Sequence, residues 1–60
     1  MARILVVEDE DDLRAVLRKI LELDEHVVMT ASNGWHATKI LENVGADLIL
    51  TDAYMPDVGG

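Results

Sequence analysis

The sequence predicts an α/β fold in which three parallel strands alternate with two helices. Two observations support this prediction. Short stretches that are apolar throughout, as in strands buried on both faces, alternate with stretches whose apolar residues recur every three or four positions, as on one face of a helix. The connections between them are short, which is typical of right-handed βαβ units. With 60 residues, the chain has room for one domain at most, covering residues 1–60, and its hydrophobic core must be small.

The first strand and the first helix follow from the pattern near the start of the chain. Residues 4–7 read Ile-Leu-Val-Val, a β-branched apolar run that predicts a buried strand. The apolar residues from Leu13 onward have the spacing i, i+3, i+4, i+7 and i+8, which predicts an amphipathic helix. We expect Asp11 and Asp12 to cap the free N–H groups at its start. The apolar face of this helix consists of Leu13, Val16, Leu17, Ile20 and Leu21.

The second strand and the second helix are predicted in the same way. Residues 27–29 form a short apolar strand, which the loop of residues 31–34 closes. Ser32 or Asn33 is the N-cap of the helix that follows, and Gly45 ends it. The apolar face of this helix consists of Ala37, Ile40, Leu41 and Val44, and we expect Ile40 and Val44 to belong to the core.

The third strand, residues 48–51, is again apolar and leads into Asp52. If the two helices cover opposite faces of the sheet, the first strand lies in the centre and the strand order is 2-1-3. The carboxyl ends of the first and third strands are then neighbours. This topology predicts that Glu8 and Asp9 lie beside Asp52, at the edge where α/β sheets bind ligands.

Charge and composition exclude several classes of function. Twelve acidic and five basic residues give a net charge of -7, which opposes binding to nucleic acid or to an anionic membrane and suits a cation. Without cysteine there is neither a disulfide nor a thiolate zinc site. No apolar stretch reaches the roughly 18 residues of a membrane span, and we see no secretory signal, so we expect a cytoplasmic protein. We interpret His26 and His36 as surface residues and not as ligands.

Residues 8–12 are five consecutive carboxylates. For the last three of them, a solvated or helix-capping role is as good an explanation as a role in the site. Glu8 and Asp9 differ, because they directly follow a buried strand, where two close acids are costly unless a cation relieves their repulsion. With Asp52 they supply three hard oxygen ligands, which suit Mg²⁺ or Mn²⁺. A carboxylate beside a phosphate-binding cation is also the arrangement in which an aspartate attacks phosphorus and forms an aspartyl phosphate.

The motifs together resemble the receiver domain of two-component response regulators. The resemblance runs through residues 4–10, 31–34, 47–52 and 55–57. It implies a flavodoxin-like fold, of which this chain is the N-terminal half, and it implies that Asp52 is the phospho-acceptor. It also implies that Asp9 and Asp52 bind Mg²⁺ directly, that Glu8 acts through water, and that the backbone carbonyl of Tyr54 completes the metal site.

The same resemblance predicts impaired phosphotransfer. In receiver domains the fourth and fifth strands supply a hydroxyl residue and a lysine that contact the phosphoryl group, and this sequence ends at Gly60, before either. Lys19 and Lys39 lie on the predicted helices, away from the strand ends. We therefore expect a signalling module that binds Mg²⁺ and, within a longer parent chain, receives its phosphoryl group from a histidine kinase. We do not expect an enzyme, because a Mg²⁺-dependent hydrolase would need a general acid or oxyanion donors that the sequence does not offer.

The alternative hypothesis is a self-assembling half-domain, in which two copies pair through the third strand and rebuild a flavodoxin-like sandwich without phosphotransfer. The third strand is the edge of a 2-1-3 sheet, and no charge or proline interrupts it. The predicted homodimer interface consists of Leu48, Ile49, Leu50, Tyr54, Met55, Val58 and Trp35.

Overall fold

The structure, a computed structural model, describes residues 1–51 and contains the predicted elements in the predicted order. The elements are β1 (Arg3–Val7), α1 (Asp11–Leu23), β2 (Val27–Ala31), α2 (Gly34–Asn43) and β3 (Leu48–Thr51). The loop predicted at residues 31–34 is shorter than expected, because Ala31 still belongs to β2 and Gly34 already begins α2. The predicted alternation of strands and helices is confirmed.

The three strands form one parallel sheet in the order β2-β1-β3, as predicted. Val7 of the central strand is paired with Ala31 on one side and with Thr51 on the other. All three strands therefore end at the same edge of the sheet. The carboxyl ends of β1 and β3 are therefore neighbours.

The core is built around β1. Residues 4–7 are each at most 4% exposed, since strands pair on both sides of β1 and its side chains alternate between the two faces of the sheet. On one face, Leu5, Val7 and Ala31 cluster with Ala37 from α2. Ile40 is partly buried against this cluster, as the apolar spacing predicted.

The prediction that Val44 of α2 belongs to the core was wrong. Val44 is 55% exposed, because it is the C-cap of the helix and no longer follows the helical repeat that places Ala37 and Ile40 against the sheet. α1 also contributes less burial than its pattern suggests. None of its residues is fully buried, since α1 packs against β1 and β2 alone among the described elements. The large apolar side chains of α1 that stay exposed are Leu13, Val16, Ile20 and Leu23.

The helix ends test the predicted capping residues. Asn33 is the N-cap of α2, and its Oδ1 accepts a hydrogen bond from the His36 amide at 2.8 Å. Gly45, at φ +81°, follows the end of the helix in the left-handed conformation that glycine tolerates best. The predicted caps of α1 were wrong, because the N-cap is Glu10, without a side-chain capping bond, and residues 11 and 12 lie within the first turn. Their negative charges still complement the helix dipole there.

β3 is the least covered element of the described fold. Leu48, Ile49 and Leu50 are 55%, 47% and 39% exposed, although their partners in β1 are buried. No Cα atom of either helix lies within 8 Å of a Cα atom in β3. In this part of the chain the strand is held by its pairing with β1 and by the Asp47 amide, which donates to the Arg3 carbonyl at 2.8 Å.

Candidate functional site

The candidate site is the acidic loop that leaves β1 at the carboxyl edge of the sheet. Its first residue, Glu8, is only 5% exposed. The Glu8 amide donates to the Ala31 carbonyl at 3.0 Å, which extends the pairing with β2 one residue beyond the strand. One carboxylate oxygen of Glu8 accepts a hydrogen bond from the Glu10 amide at 3.1 Å. The burial of Glu8 thus follows from its place in the sheet, and the hydrogen bond of its carboxylate stabilises the turn that leads into α1.

Asp9 is exposed beside this buried carboxylate. The two acids lie where the sequence placed them, directly after the central strand, because the pairing of Val7 fixes where the strand ends. The remaining three acids of the run are exposed as well. Asp11 is paired with Arg14 at 2.6 Å, so one of them has a structural partner in the first turn of α1.

Two of the four predicted metal ligands, Asp52 and Tyr54, lie outside the described residues. The structure brings Thr51 opposite Val7, so the described part of β3 stops beside the start of the acidic loop. Within residues 1–51, no three histidine, cysteine or acidic side chains are grouped as a metal site would require. Glu8 and Asp9 are therefore the described part of the predicted site.

The donor atoms present fit a hard divalent cation. Glu8 and Asp9 offer carboxylate oxygens, the ligands that Mg²⁺ and Mn²⁺ prefer. No ion pair between described residues involves either side chain. A buried carboxylate without a cationic side chain carries a desolvation penalty that a bound cation relieves.

Sequence reasoning missed the contacts of Arg14. Its Nη1 donates to the Glu8 carbonyl oxygen at 3.0 Å and its Nη2 donates to Asp11. The helical pattern placed Arg14 on the polar side of α1 and gave no further indication of a role. The only signal is its position, one turn after the start of the helix that follows the acidic loop.

The predicted interface is partly described. Trp35 is 72% exposed and its ring lies 5.2 Å from the Lys39 ammonium, a cation–π contact. Between α2 and β3 lies an open cavity of about 200 Å³, whose lining includes Leu41 and Ile49. The apolar side chains of β3 are exposed as predicted. The other predicted interface residues, Tyr54, Met55 and Val58, lie outside the described residues.

The two histidines lie apart from the acidic loop. His36 is exposed in the first turn of α2, as predicted. His26 departs from the prediction, since it is partly buried between α1 and β2 and its Nδ1 accepts a hydrogen bond from the Ala2 amide at 3.1 Å. Its Nε2 lies 3.3 Å from Asp24. These contacts give His26 a structural role at the amino edge of the sheet.

Comparison with known sequences gives one family model and several relatives. A family model described as the response regulator receiver domain matches residues 4–60. The CAI-1 autoinducer sensor kinase/phosphatase CqsS of Vibrio cholerae is 40% identical over 58 residues, which cover 97% of this chain and 8% of that protein. The probable transcriptional regulator ycf27 of Cyanidium caldarium is 40% identical over 57 residues, covering 95% of this chain and 23% of that protein.

A solved structure of a receiver domain protein has a similar fold. The crystal structure of a response regulator receiver domain protein from Clostridium thermocellum superposes with a TM-score of 0.85 at 36% identity. The match covers 93% of this chain and 46% of the solved one. The chain thus spans less than half the length of that structure and of the two relatives. No helix within residues 1–51 has the length and apolar character required to cross a membrane.

Proposed function

The chain belongs to the response regulator receiver domain family, and on that basis we propose that it binds Mg²⁺ through Glu8, Asp9 and Asp52 and that Asp52 is its phospho-acceptor. Receiver domains are signalling modules of two-component systems. In this proposal Asp9 and Asp52 bind the metal directly, Glu8 binds through water, and the backbone carbonyl of Tyr54 adds a fourth ligand. Mn²⁺, which accepts the same oxygen ligands, is the alternative cation.

One observation carries the proposal: Glu8 is a buried carboxylate at the end of the central strand, without a cationic side chain paired to it in the described structure. A buried carboxylate without a paired cation destabilises the folded state, because it has lost contact with water, and a bound cation would offset this cost. Bound Mg²⁺ would neutralise charge on the carboxylates and on an incoming phosphoryl group. The side chains themselves supply the oxygen ligands and, in Asp52, the nucleophile.

For the 60 residues on their own, we propose that phosphorylation of Asp52 is slow. Rapid transfer needs preorganised positive charge on the phosphoryl group besides the metal. Both lysines of the sequence lie on helices: Lys19 is on α1, and the Lys39 ammonium on α2 lies over Trp35. We propose a histidine kinase as the donor for the parent protein. The cytoplasmic location expected from the sequence stays a prediction.

The metal proposal is tested by thermal unfolding in a Mg²⁺ titration. A cation that binds only the folded state stabilises it by about 2.7 kcal/mol at a concentration of 100 Kd. We expect the melting temperature of the wild type to rise with Mg²⁺ and that of Asp9→Asn to stay nearly constant. Asp24→Asn is the matched control, because Asp24 is equally a solvent-exposed aspartate but lies in the turn after α1, at the opposite edge of the sheet. It should respond like the wild type.

Two outcomes would contradict the metal proposal. An unchanged melting temperature of the wild type at saturating Mg²⁺ would remove the proposed site altogether. An equal rise for the wild type and for Asp9→Asn would mean that the cation binds elsewhere on a chain of net charge -7.

A second candidate function, self-assembly through β3, is favoured by the exposure of that strand. Leu48, Ile49 and Leu50 are apolar, uninterrupted by charge and uncovered by α1 or α2. An uncovered apolar edge strand is a template for pairing with another chain. Two copies related by a two-fold axis would pair β3 with β3 in antiparallel fashion and form a six-stranded sheet. Metal binding and self-assembly are compatible, since the acidic loop lies at the end of the strands and the proposed interface along β3.

A further inference from the structure

We infer that Arg14 is a positioning residue for the metal site, because its guanidinium fixes the peptide that joins Glu8 to Asp9. The inference rests on the proposed function, in that Glu8 and Asp9 hold Mg²⁺. It adds a residue that the apolar pattern of α1 assigns only to the polar side of the helix. Its role is to orient two ligands and not to touch the metal.

The contacts of Arg14 join the acidic loop to the first turn of α1. Nη1 donates to the Glu8 carbonyl oxygen at 3.0 Å, and Nη2 donates to the Asp11 carboxylate at 2.6 Å. The Arg14 side chain is 23% exposed, whereas that of Arg18, one turn later on the same helix, is 56% exposed and pairs only with Glu22 among described residues. The two-pronged contact and the partial burial distinguish Arg14 from an ordinary surface arginine.

These contacts act on the peptide bond between the two ligands. The Glu8 carbonyl lies in one plane with the amide and the Cα atom of Asp9, so a hydrogen bond that orients this carbonyl restricts the directions of both side chains. The same loop is held before and after that peptide. The Glu8 amide is bonded to the Ala31 carbonyl, and the Glu10 amide to the Glu8 carboxylate. Arg14 therefore fixes the orientation of the peptide between Glu8 and Asp9, which these two bonds do not hold directly.

Charge and geometry predict opposite effects when Arg14 is replaced. A positive charge near a cation site repels the cation, so its removal should strengthen Mg²⁺ binding if charge alone mattered. A residue that orients ligands should, when removed, weaken metal binding, typically by 10-fold or more for partners of metal ligands. The sign of the change in affinity therefore separates the two roles.

The test compares Arg14→Gln, Arg14→Lys and the matched control Arg18→Gln. Mg²⁺ affinity is measured by calorimetry, and exchange of the Glu10 amide by NMR in the metal-free protein. We expect Arg14→Gln to bind Mg²⁺ roughly tenfold more weakly and to exchange the Glu10 amide faster, while the Leu5 amide in the core keeps its protection. Arg14→Lys keeps the charge but loses the fork and should show a smaller loss. Arg18→Gln should bind at least as tightly as the wild type.

Each outcome has a defined meaning. Binding by Arg14→Gln that equals or exceeds that of the wild type would overturn the inference, whatever the rate of Glu10 exchange, and leave the proposed function standing. Absence of Mg²⁺ binding by the wild type would overturn both. If Arg14→Gln does not fold, Asp11→Asn removes one anchor of the guanidinium at an exposed position, and an affinity equal to that of the wild type in both Asp11→Asn and Arg14→Lys would overturn the inference.

Discussion

The exposed edge strand β3 allows a sharp test of self-assembly by the 60-residue chain. Leu48, Ile49 and Leu50 keep 55%, 47% and 39% of their surface accessible. Full burial of a leucine or isoleucine side chain is worth about 1.5 to 3 kcal/mol, so about half of that, near 1 kcal/mol for each side chain, remains to be gained. For the six side chains of a two-fold pair the upper limit is on the order of 6 kcal/mol, which is reached only if the pair covers both faces of β3; the backbone hydrogen bonds between the strands add to it.

Association costs about 4 to 15 kcal/mol in lost translational and rotational freedom. The gain from burial is comparable only with the lower end of this range. We therefore expect a weak dimer, with a dissociation constant of about ten to a few hundred micromolar. Ile49→Lys removes the gain at two symmetry-related positions and places two like charges near the axis. Since each 1.4 kcal/mol is about tenfold in affinity, we expect the dimer to weaken at least tenfold.

Sedimentation equilibrium from about 5 to about 500 μM covers the expected affinity range. Val27→Lys is the matched control, because Val27 lies on the opposite edge strand, β2, is likewise 47% exposed and undergoes the same change in charge. It should dimerise like the wild type. A wild type that is well folded and monomeric at every concentration would refute the reasoning. Equal weakening by both substitutions would show that association does not depend on β3. Circular dichroism of each sample reports whether the fold is kept.

Three further predictions concern stability and chemistry. Asn33→Ala removes the cap of α2 and should cost about 1 kcal/mol, which lowers the melting temperature by about 4 to 8 °C in a domain of this size. The control Asn43→Ala, at the exposed end of the same helix, should change the melting temperature far less. Equal shifts for the two variants would contradict the capping role. Leu5→Ala, at a fully buried site, should cost about 2 to 5 kcal/mol and abolish a cooperative thermal transition, whereas Val16→Ala on exposed α1 should preserve one. Incubation with acetyl phosphate and Mg²⁺ should phosphorylate Asp52 slowly and incompletely by intact mass, and rapid stoichiometric addition would contradict the proposed need for further cationic contacts.

The strands were predictable because each apolar run is short and continuous and is bounded by polar residues. Residues 48–51 were predicted as a strand and form β3 without change. Strand order also followed from the sequence, since two short crossovers covering opposite faces leave the first strand in the centre. The place of Glu8 and Asp9 needed nothing more than this topology.

The errors arose at a helix boundary and where tertiary contacts decide what a local pattern leaves open. Val44 has core spacing, yet the helix has ended before it and its side chain is exposed. His26 is polar, but its ring accepts a bond from the Ala2 amide, a contact over 24 positions that no local pattern encodes. The contact of Arg14 with the Glu8 carbonyl depends on how the loop turns between strand and helix, and therefore required coordinates.

Glu8, which the sequence singles out for function, departs from the rule that buried positions of this fold are apolar. An acid directly after a buried strand opposes folding, and a chain with so small a core has little stability to spare. Glu8 nevertheless has its amide, its carbonyl and one carboxylate oxygen engaged by Ala31, Arg14 and Glu10. The two backbone contacts would form with any residue at this position, whereas the bond from the Glu10 amide holds the carboxylate itself. An acid kept at a buried position is expected where it serves binding, because a solely structural position would be filled at less cost by an apolar residue. The cation that this loop is proposed to bind would then also contribute to the stability of the fold, and the Mg²⁺ titration measures both effects in one experiment.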